Sequence, residues 1–477
     1  MQKAVLNAVE LFKQHAQEHP EKMAIQLPFS EGVSFGELLK RGSYAQAVYR
    51  RAGLAPGDSV LLIDHLSPRL YASVIGILAT GATAVLVEPW MPVERINKVL
   101  RLAKPKIFSA ATLGWLWGAR LKAAREIPKW LHASSIDGET NSPLEIIRVA
   151  PETPGILTFT SGTTGEPKGV VRGQGYMIEQ HRILSSALHL EDHAGPDLCI
   201  FANFALANLA SGRGTILVPP KWRNKDLRWL ESLPKDLRPE SLTCGPAFLL
   251  KLMQTCRLPS LESIHVGGAL TDCWIFENAF QHFPESEVVH IYGSSEAEPV
   301  SLIDARESVR RSRDRGYFQA LSLGQPVSAI SAKIEADNLW VAGPHVCPLY
   351  IGGEEENRLH KRKDAEGRVW HSMGDRVRTD ESGWWYAGRS GQSPRSFDLE
   401  QKVYSLLGSS KAFVIETDGR FEICVDIDRA KRKEVEKLLA LEASSRLFEV
   451  EIQRDRRHRA RIDRAASAKT RKPWQAG

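Results

Sequence analysis

The sequence has no Cys-x-x-C pair. Its six cysteines, Cys199, Cys244, Cys256, Cys273, Cys347 and Cys424, stand singly along the 477 residues. That spacing excludes a thiolate zinc knuckle and a dithiol redox site. Isolated thiols match a reducing compartment, so a cytoplasmic location is expected. A secretory leader is not expected either, because Lys3 is followed by no apolar core before Glu10. One uncharged stretch, Leu70 to Val87, runs for eighteen residues, the length at which a membrane span becomes conceivable. It is broken by Ser73, Gly76, Thr80, Gly81 and Thr83. The expectation is a buried helix that stops at Gly81 and a buried strand over 84–87, with no membrane span. Internal repeats are absent. Aromatic residues are also missing from the basic tail, apart from Trp474. Nine Lys/Arg against Asp455 and Asp463 give residues 454–472 a charge of +7, out of a net +6 for the chain. The remainder is therefore close to neutral. A solvated tail, an anionic surface or a phosphate-rich ligand would each suit such a stretch. A nucleic-acid partner is not expected without interleaved aromatics.

A chain of this length holds about two to four domains. Short apolar runs at 59–63, 84–87, 215–218, 263–266 and 288–291 alternate with helical periods at 7–19, 93–102 and 274–283. Such alternation predicts an α/β fold: a large N-terminal domain with mainly parallel sheets and flanking helices. Several of these strands end in glycine, at Gly267-Gly268 and at Gly293. Open α/β sheets bind ligands beyond the carboxyl ends of their strands, so one shared crevice is expected. The small, polar, Pro-containing stretch 390–396 reads as a linker. It divides residues 1–388 from a small, mobile α+β domain at 389–477, with strands at 412–416, 421–426 and 447–452 and a helix at 429–441.

The densest chemistry lies in Thr160-Ser161-Gly162-Thr163-Thr164-Gly165-Glu166-Pro167-Lys168-Gly169, just after the apolar strand 155–159. Glycines admit phosphate oxygens close to the backbone, hydroxyls and N–H groups donate to them, and Lys168 adds a point charge. The spacing is not that of the Walker A loop, so an ordinary P-loop NTPase is disfavoured. On composition alone a flexible Ser/Gly turn remains open.

Three further segments follow in order: Gly267-Gly268-Ala269, Tyr292-Gly293-Ser294-Ser295-Glu296, and Gly374-Asp375-Arg376 running on to Gly388-Arg389. Together with the loop they resemble the motifs of the superfamily that unites acyl-CoA synthetases, peptide-synthetase adenylation domains and luciferases. The resemblance spans residues 11 to about 465. It implies an ATP- and Mg2+-dependent enzyme that adenylates a carboxylic acid and passes the acyl group to CoA or a carrier-protein thiol. It implies residue roles as well. Thr160, Ser161, Gly162, Thr163, Thr164, Gly165 and Lys168 would cradle the phosphates. Tyr292 would stack on adenine, and Gly268, Ala269 and Gly293 would pass beneath the nucleotide. Ser295 would bond the α-phosphate, Glu296 would hold Mg2+, and Asp375 and Arg389 would take the ribose. Phe201, Asn203, Phe204, Gly267 and His290 would line the acid pocket, giving it an apolar character.

The chain departs from the family pattern in its last domain. Where the family carries a catalytic lysine, this sequence has Arg461, within Arg456-Arg-His-Arg-Ala-Arg461. Arg keeps the charge but is a rigid fork rather than a compact ammonium. The family's Gly-rich Lys loop for thioester formation is not evident over 396–403. Segment 201–208 and the Arg-rich tail look more like the bacterial olefin-pathway β-lactone synthetases, in which a β-hydroxyl closes on the activated acyl group. A third reading is a nucleotide- or acyl-adenylate-binding protein without catalysis.

Overall fold

The computed structural model describes residues 6–87, 91–161, 167–426, 437, 445–454 and 462–474. Among these residues the strands form three sheets, of 14, seven and four strands. In the seven-stranded sheet, Pro154–Ser161, Thr83–Leu86, Ser59–Ile63, Ile107–Ala110 and Lys129–His132 run parallel in that order. Pro167–Gly173 and Tyr350–Ile351 add antiparallel at one edge. The central strands are buried on both faces, which is why they read as unbroken apolar runs. The uncharged stretch from Leu70 follows the same logic. It forms the helix Pro68–Ala79, in which every residue from Leu70 on is buried. Gly81, at φ +74°, then turns the chain into the strand Thr83–Leu86. Among the described residues, no helix is long and apolar enough to cross a membrane.

The 14-stranded sheet is parallel only in its first half, through Met23–Gln26, Thr215–Leu217, Asp197–Cys199, Ser241–Cys244, Ser263–Val266 and Glu287–Ser294. From Ala297–Asp304 onward it continues antiparallel through Ser322–Pro326, Gly383–Arg389, Val369–Asp380, Asn338–Ala342 and Ser331–Glu335. The expectation of mainly parallel sheets therefore holds for the helix-flanked half. Within the rest, Glu287–Ser294 with Ala297–Asp304, Val369–Asp380 with Gly383–Arg389 and Ser331–Glu335 with Asn338–Ala342 are hairpins. The other antiparallel pairs join strands farther apart in the chain.

The four-stranded sheet, Ala412–Thr417, Arg420–Val425, Ser445–Glu449 and Lys472–Pro473, is separate. The helix Pro394–Leu407 covers it with Leu399, Val403 and Leu407. Stretch 390–396, expected as a linker, is shorter than that. Ser393 caps the helix by accepting from the Ser396 N–H at 3.0 Å, and Pro394 occupies the first turn. Proline suits that position because its missing N–H would be unpaired there in any case. Hydrogen bonds from Gln401 to Gln319 (3.0 Å) and from Ser410 to Asp272 (2.8 Å) fasten this unit to the larger sheet. The helix expected over 429–441 lies outside the described residues, apart from Lys437.

Three buried histidines carry a consequence for stability. Burial pushes His265 and His290 down to about 4, and burial together with Lys361 pushes His371 down to about 3. Each is neutral in the fold at neutral pH, yet in the unfolded chain takes a proton near its ordinary value of 6.5. Their contribution is complete above that value and is lost as pH falls toward 4 and below. Unfolding at about pH 5 should therefore take up protons at these sites, and the melting temperature should fall between about pH 6.5 and 4.5. A flat melting profile across that interval would refute the assignment.

Candidate active site

The site is assembled at the carboxyl ends of the parallel strands. Ser241–Cys244, Ser263–Val266 and Glu287–Ser294 end in Gly245, Gly267 and the Tyr292-Gly293 pair. Gly268 adopts φ +82°, a left-handed conformation that other residues rarely take. A Cβ on Gly293 would stand 2.9 Å from the Ala297 carbonyl. The bend that follows, Ser295-Glu296, is thus a tight two-residue turn between Glu287–Ser294 and Ala297–Asp304.

Across the crevice, Val369–Asp380 and Gly383–Arg389 pair so that Asp375 lies opposite Arg389. The two form an ion pair at 3.0 Å, and the Tyr292 hydroxyl donates to the other Asp375 oxygen at 2.7 Å. Three residues separated by up to 97 positions thus meet on one buried carboxylate. The Asp375 charge pushes Arg389 upward, so it is always a cation. Burial pushes the Tyr292 hydroxyl well up, so it remains a donor.

Glu296 anchors a second cluster. Its Oε1 accepts from the Tyr350 hydroxyl at 2.8 Å. The ammonium groups of Lys168 and Lys361 lie over the Tyr350 ring, 4.4 and 4.8 Å from its centroid, which makes cation–π contacts. Burial raises the Glu296 carboxyl, but His371, the Tyr350 hydroxyl, Lys168 and Lys361 outweigh it and hold the group at about 2. The His371 ring is neutral at neutral pH, so there the hydroxyl and the two lysines do the holding. The two-residue strand Tyr350–Ile351 pairs with Pro167–Gly173, and this brings Tyr350 beside Lys168. Lys361 is fixed by donating to the Cys347 carbonyl.

Thr160 and Ser161 end the strand Pro154–Ser161, and its partner Pro167–Gly173 carries Lys168. Gly162, Thr163, Thr164 and Gly165 lie outside the described residues, as does Arg461. In segment 201–208, the helix Ala202–Ala210 splits the expected pocket residues between two environments. Phe204 packs into the core with Leu184, Leu188 and Ile291. Phe201 stands 5.9 Å from it, with its ring edge near Gly245. Asn203 lines an apolar cavity of about 80 Å3 with Phe12, Ile75, Leu78, Met177 and Leu206, and Arg172 borders the same cavity. Asn203 also donates to Glu298 Oε2 at 3.2 Å. His290 is not brought to the crevice with the others. It faces Phe276, 5.3 Å between ring centroids, and Ser308, on the helix-covered side of the sheet. A larger cavity of about 210 Å3, bordered by His193, His265, Glu287 and Asp304, opens at the amino ends of the parallel strands. That is the wrong end for α/β ligand chemistry.

Tyr350, Lys361, His371 and Arg172 escaped the sequence reading. Arg172 had a signal, as the one charge in the apolar run from Gly169. Tyr350 and Lys361 had none, since only strand pairing brings them to the site.

The arrangement places a buried, ionised carboxylate, two lysines and a phosphate-loop strand at one end of the crevice. An Asp–Tyr–Arg triad occupies the other end, and Arg172, which donates to the Ser295 carbonyl, borders the apolar cavity. The sequence profile described as AMP-binding enzyme matches residues 12–351. Olefin beta-lactone synthetase of Xanthomonas campestris pv. campestris is 24% identical over 435 residues, covering 78% of this chain and 76% of that protein. The Stenotrophomonas maltophilia protein of the same name is 25% identical, covering 79% and 78%. Among solved structures, O-succinylbenzoate Coenzyme A Synthetase (MenE) from Bacillus subtilis, in complex with AMP, superposes with a TM-score of 0.79 at 18% identity. The superposition covers 99% of this chain and 100% of that one.

Proposed function

The chain belongs to the AMP-binding enzyme family and is an adenylate-forming ligase; from that premise we propose that it adenylates a fatty or other apolar carboxylic acid, releases pyrophosphate, and passes the acyl group to a thiol such as CoA. The apolar cavity bordered by Arg172, whose guanidinium bonds the Ser295 carbonyl, carries this reading. A carboxylate is a poor nucleophile toward a polyanion, so the phosphates must be neutralised and the attack aligned. Lys168 and the loop from Thr160 to Gly165 hold the phosphates, and Ser295 holds the α-phosphate. Tyr292 stacks on adenine above Gly268, Ala269 and Gly293, and Asp375 and Arg389 hold the ribose. Arg461, in the lid of residues 389–477, would act against the body of residues 1–388 in place of the family's catalytic lysine.

Glu296 fits a magnesium ion. It is ionised, one of its oxygens is committed to Tyr350, and a hard cation prefers such oxygens. Bound there, the ion would neutralise charge on the leaving pyrophosphate.

One observation favours a second acceptor. Only Ser390 to Ser393 separate the strand ending at Arg389 from the helix beginning at Pro394. Segment 396–403, where a thioester-forming loop would lie, is therefore helical. An intramolecular β-hydroxyl, closing a lactone ring, needs no such loop, and the name shared by the two relatives points the same way. Acid-dependent pyrophosphate release across fatty and β-hydroxy fatty acids, with and without CoA, tests both readings. A CoA thioester identified by mass spectrometry establishes the thiol reading. A β-lactone formed without CoA establishes the other. Release with small polar acids only would defeat the apolar reading.

A further inference from the structure

Arg172 is 6% exposed and ends the apolar run of the strand Pro167–Gly173. Its Nη1 donates to the Thr158 hydroxyl at 2.9 Å, and its Nη2 donates to the Ser295 carbonyl at 3.0 Å. Neither partner is anionic. The remaining Nε–H is buried and has no hydrogen-bond partner among the described residues. The same side chain borders the apolar cavity. A buried guanidinium whose two hydrogen-bond partners are both neutral is costly, and a buried donor without an acceptor adds to that cost. The position makes sense of both. On one side of the guanidinium lies the turn that carries Ser295 and Glu296, and on the other lies a cavity suited to an alkyl chain. A carboxyl group at the Arg172 edge of that cavity would therefore lie beside the turn.

We propose that Arg172 is the acid-side anchor of the reaction: its guanidinium, aimed by Thr158 and the Ser295 carbonyl, holds the carboxyl end of the apolar acid and selects carboxylates over neutral analogues. This rests on the apolar-acid reading above. The charge is fixed in the body of the protein, so it orients the acid before any residue of the lid arrives.

The test is competition binding to the full-length chain, with AMP and with decanoyl-sulfamoyl-adenosine as a mimic of the acyl-adenylate. The wild type should prefer the mimic to AMP. Arg172→Gln should lose at least about 10-fold of that preference, with AMP affinity changed by less than about 3-fold. Arg172→Lys should recover part of the loss. In decanoate-dependent pyrophosphate release, KM for decanoate should rise while KM for ATP stays. A merely structural role would weaken both ligands together, and that result overturns the inference. So does an undiminished preference in Arg172→Gln. If the Gln variant melts early, Thr158→Val, which keeps the charge but removes its aim, should show a smaller loss of the same kind, and full retention overturns the inference. A wild type that binds the mimic no better than AMP brings down the apolar-acid reading, and this inference with it.

Discussion

Glu296→Gln should lower acid-dependent pyrophosphate release by at least about 100-fold, with the fold intact. The substitution keeps the shape of the side chain and its acceptor oxygen for Tyr350. It removes one of the negative charges around Tyr350, over whose ring Lys168 and Lys361 lie, and leaves the buried Glu356. The two ammonium groups then lose part of their counter-charge, and the carboxylate at the turn can no longer hold a hard cation. The group sits at about 2, so the wild type should keep this carboxylate ionised across the whole working range. An acid limb in its pH–rate profile near 4 to 5 would therefore belong to another group. Pyrophosphate release assayed with saturating ATP, beside circular dichroism of the variant, checks the expectation. Activity within about 3-fold of wild type would sink the assignment of Glu296 to the chemistry.

The second large effect is expected at Asp375→Ala. One carboxylate accepts the Tyr292 hydroxyl and pairs with Arg389. Its removal leaves a buried hydroxyl without an acceptor and a guanidinium without its counter-charge. That should cost about 1–3 kcal/mol of stability. In catalysis the loss should fall on ATP: kcat/KM for ATP should drop by roughly 100-fold or more, while KM for the acid changes little. Asp375→Asn, which retains one acceptor, should lie between the two. Denaturant melts and separate ATP and acid titrations distinguish these outcomes. An equal rise in both KM values would mean that the triad supports the crevice as a whole rather than the nucleotide end.

Much of this was legible in the sequence. The runs 59–63 and 263–266 match the strands Ser59–Ile63 and Ser263–Val266 residue for residue. Strands buried on both faces must be apolar throughout, and that pattern is local. The Gly-marked strand ends predicted a shared crevice; beyond them Tyr292 and Asp375 meet, with Glu296 on the turn that follows Tyr292. The stretch 390–396 misled because Ser-Pro serves both turns and helix starts. The hydrogen bond from Ser396 N–H to Ser393 decides between them, and composition does not record it. Segment 201–208 misled more subtly. Its aromatics looked like a pocket lining, yet the rotation of the helix Ala202–Ala210 turns Phe204 into the core and leaves Asn203 and Leu206 at the cavity.

The sequence by itself determined the class of chemistry. The loop from Thr160 to Gly169 and the motifs around Tyr292, Glu296 and Asp375 specify nucleotide binding because glycine, hydroxyl and charge must be neighbours in the chain to shape a turn around a phosphate. Only the tertiary structure decided the company those residues keep. Tyr350 reaches Glu296 from 54 positions away, and Arg172 reaches Ser295 across 123. Sheet pairing and burial create such contacts. They follow from which strand lies beside which, a property of the whole fold that no local pattern of residues carries.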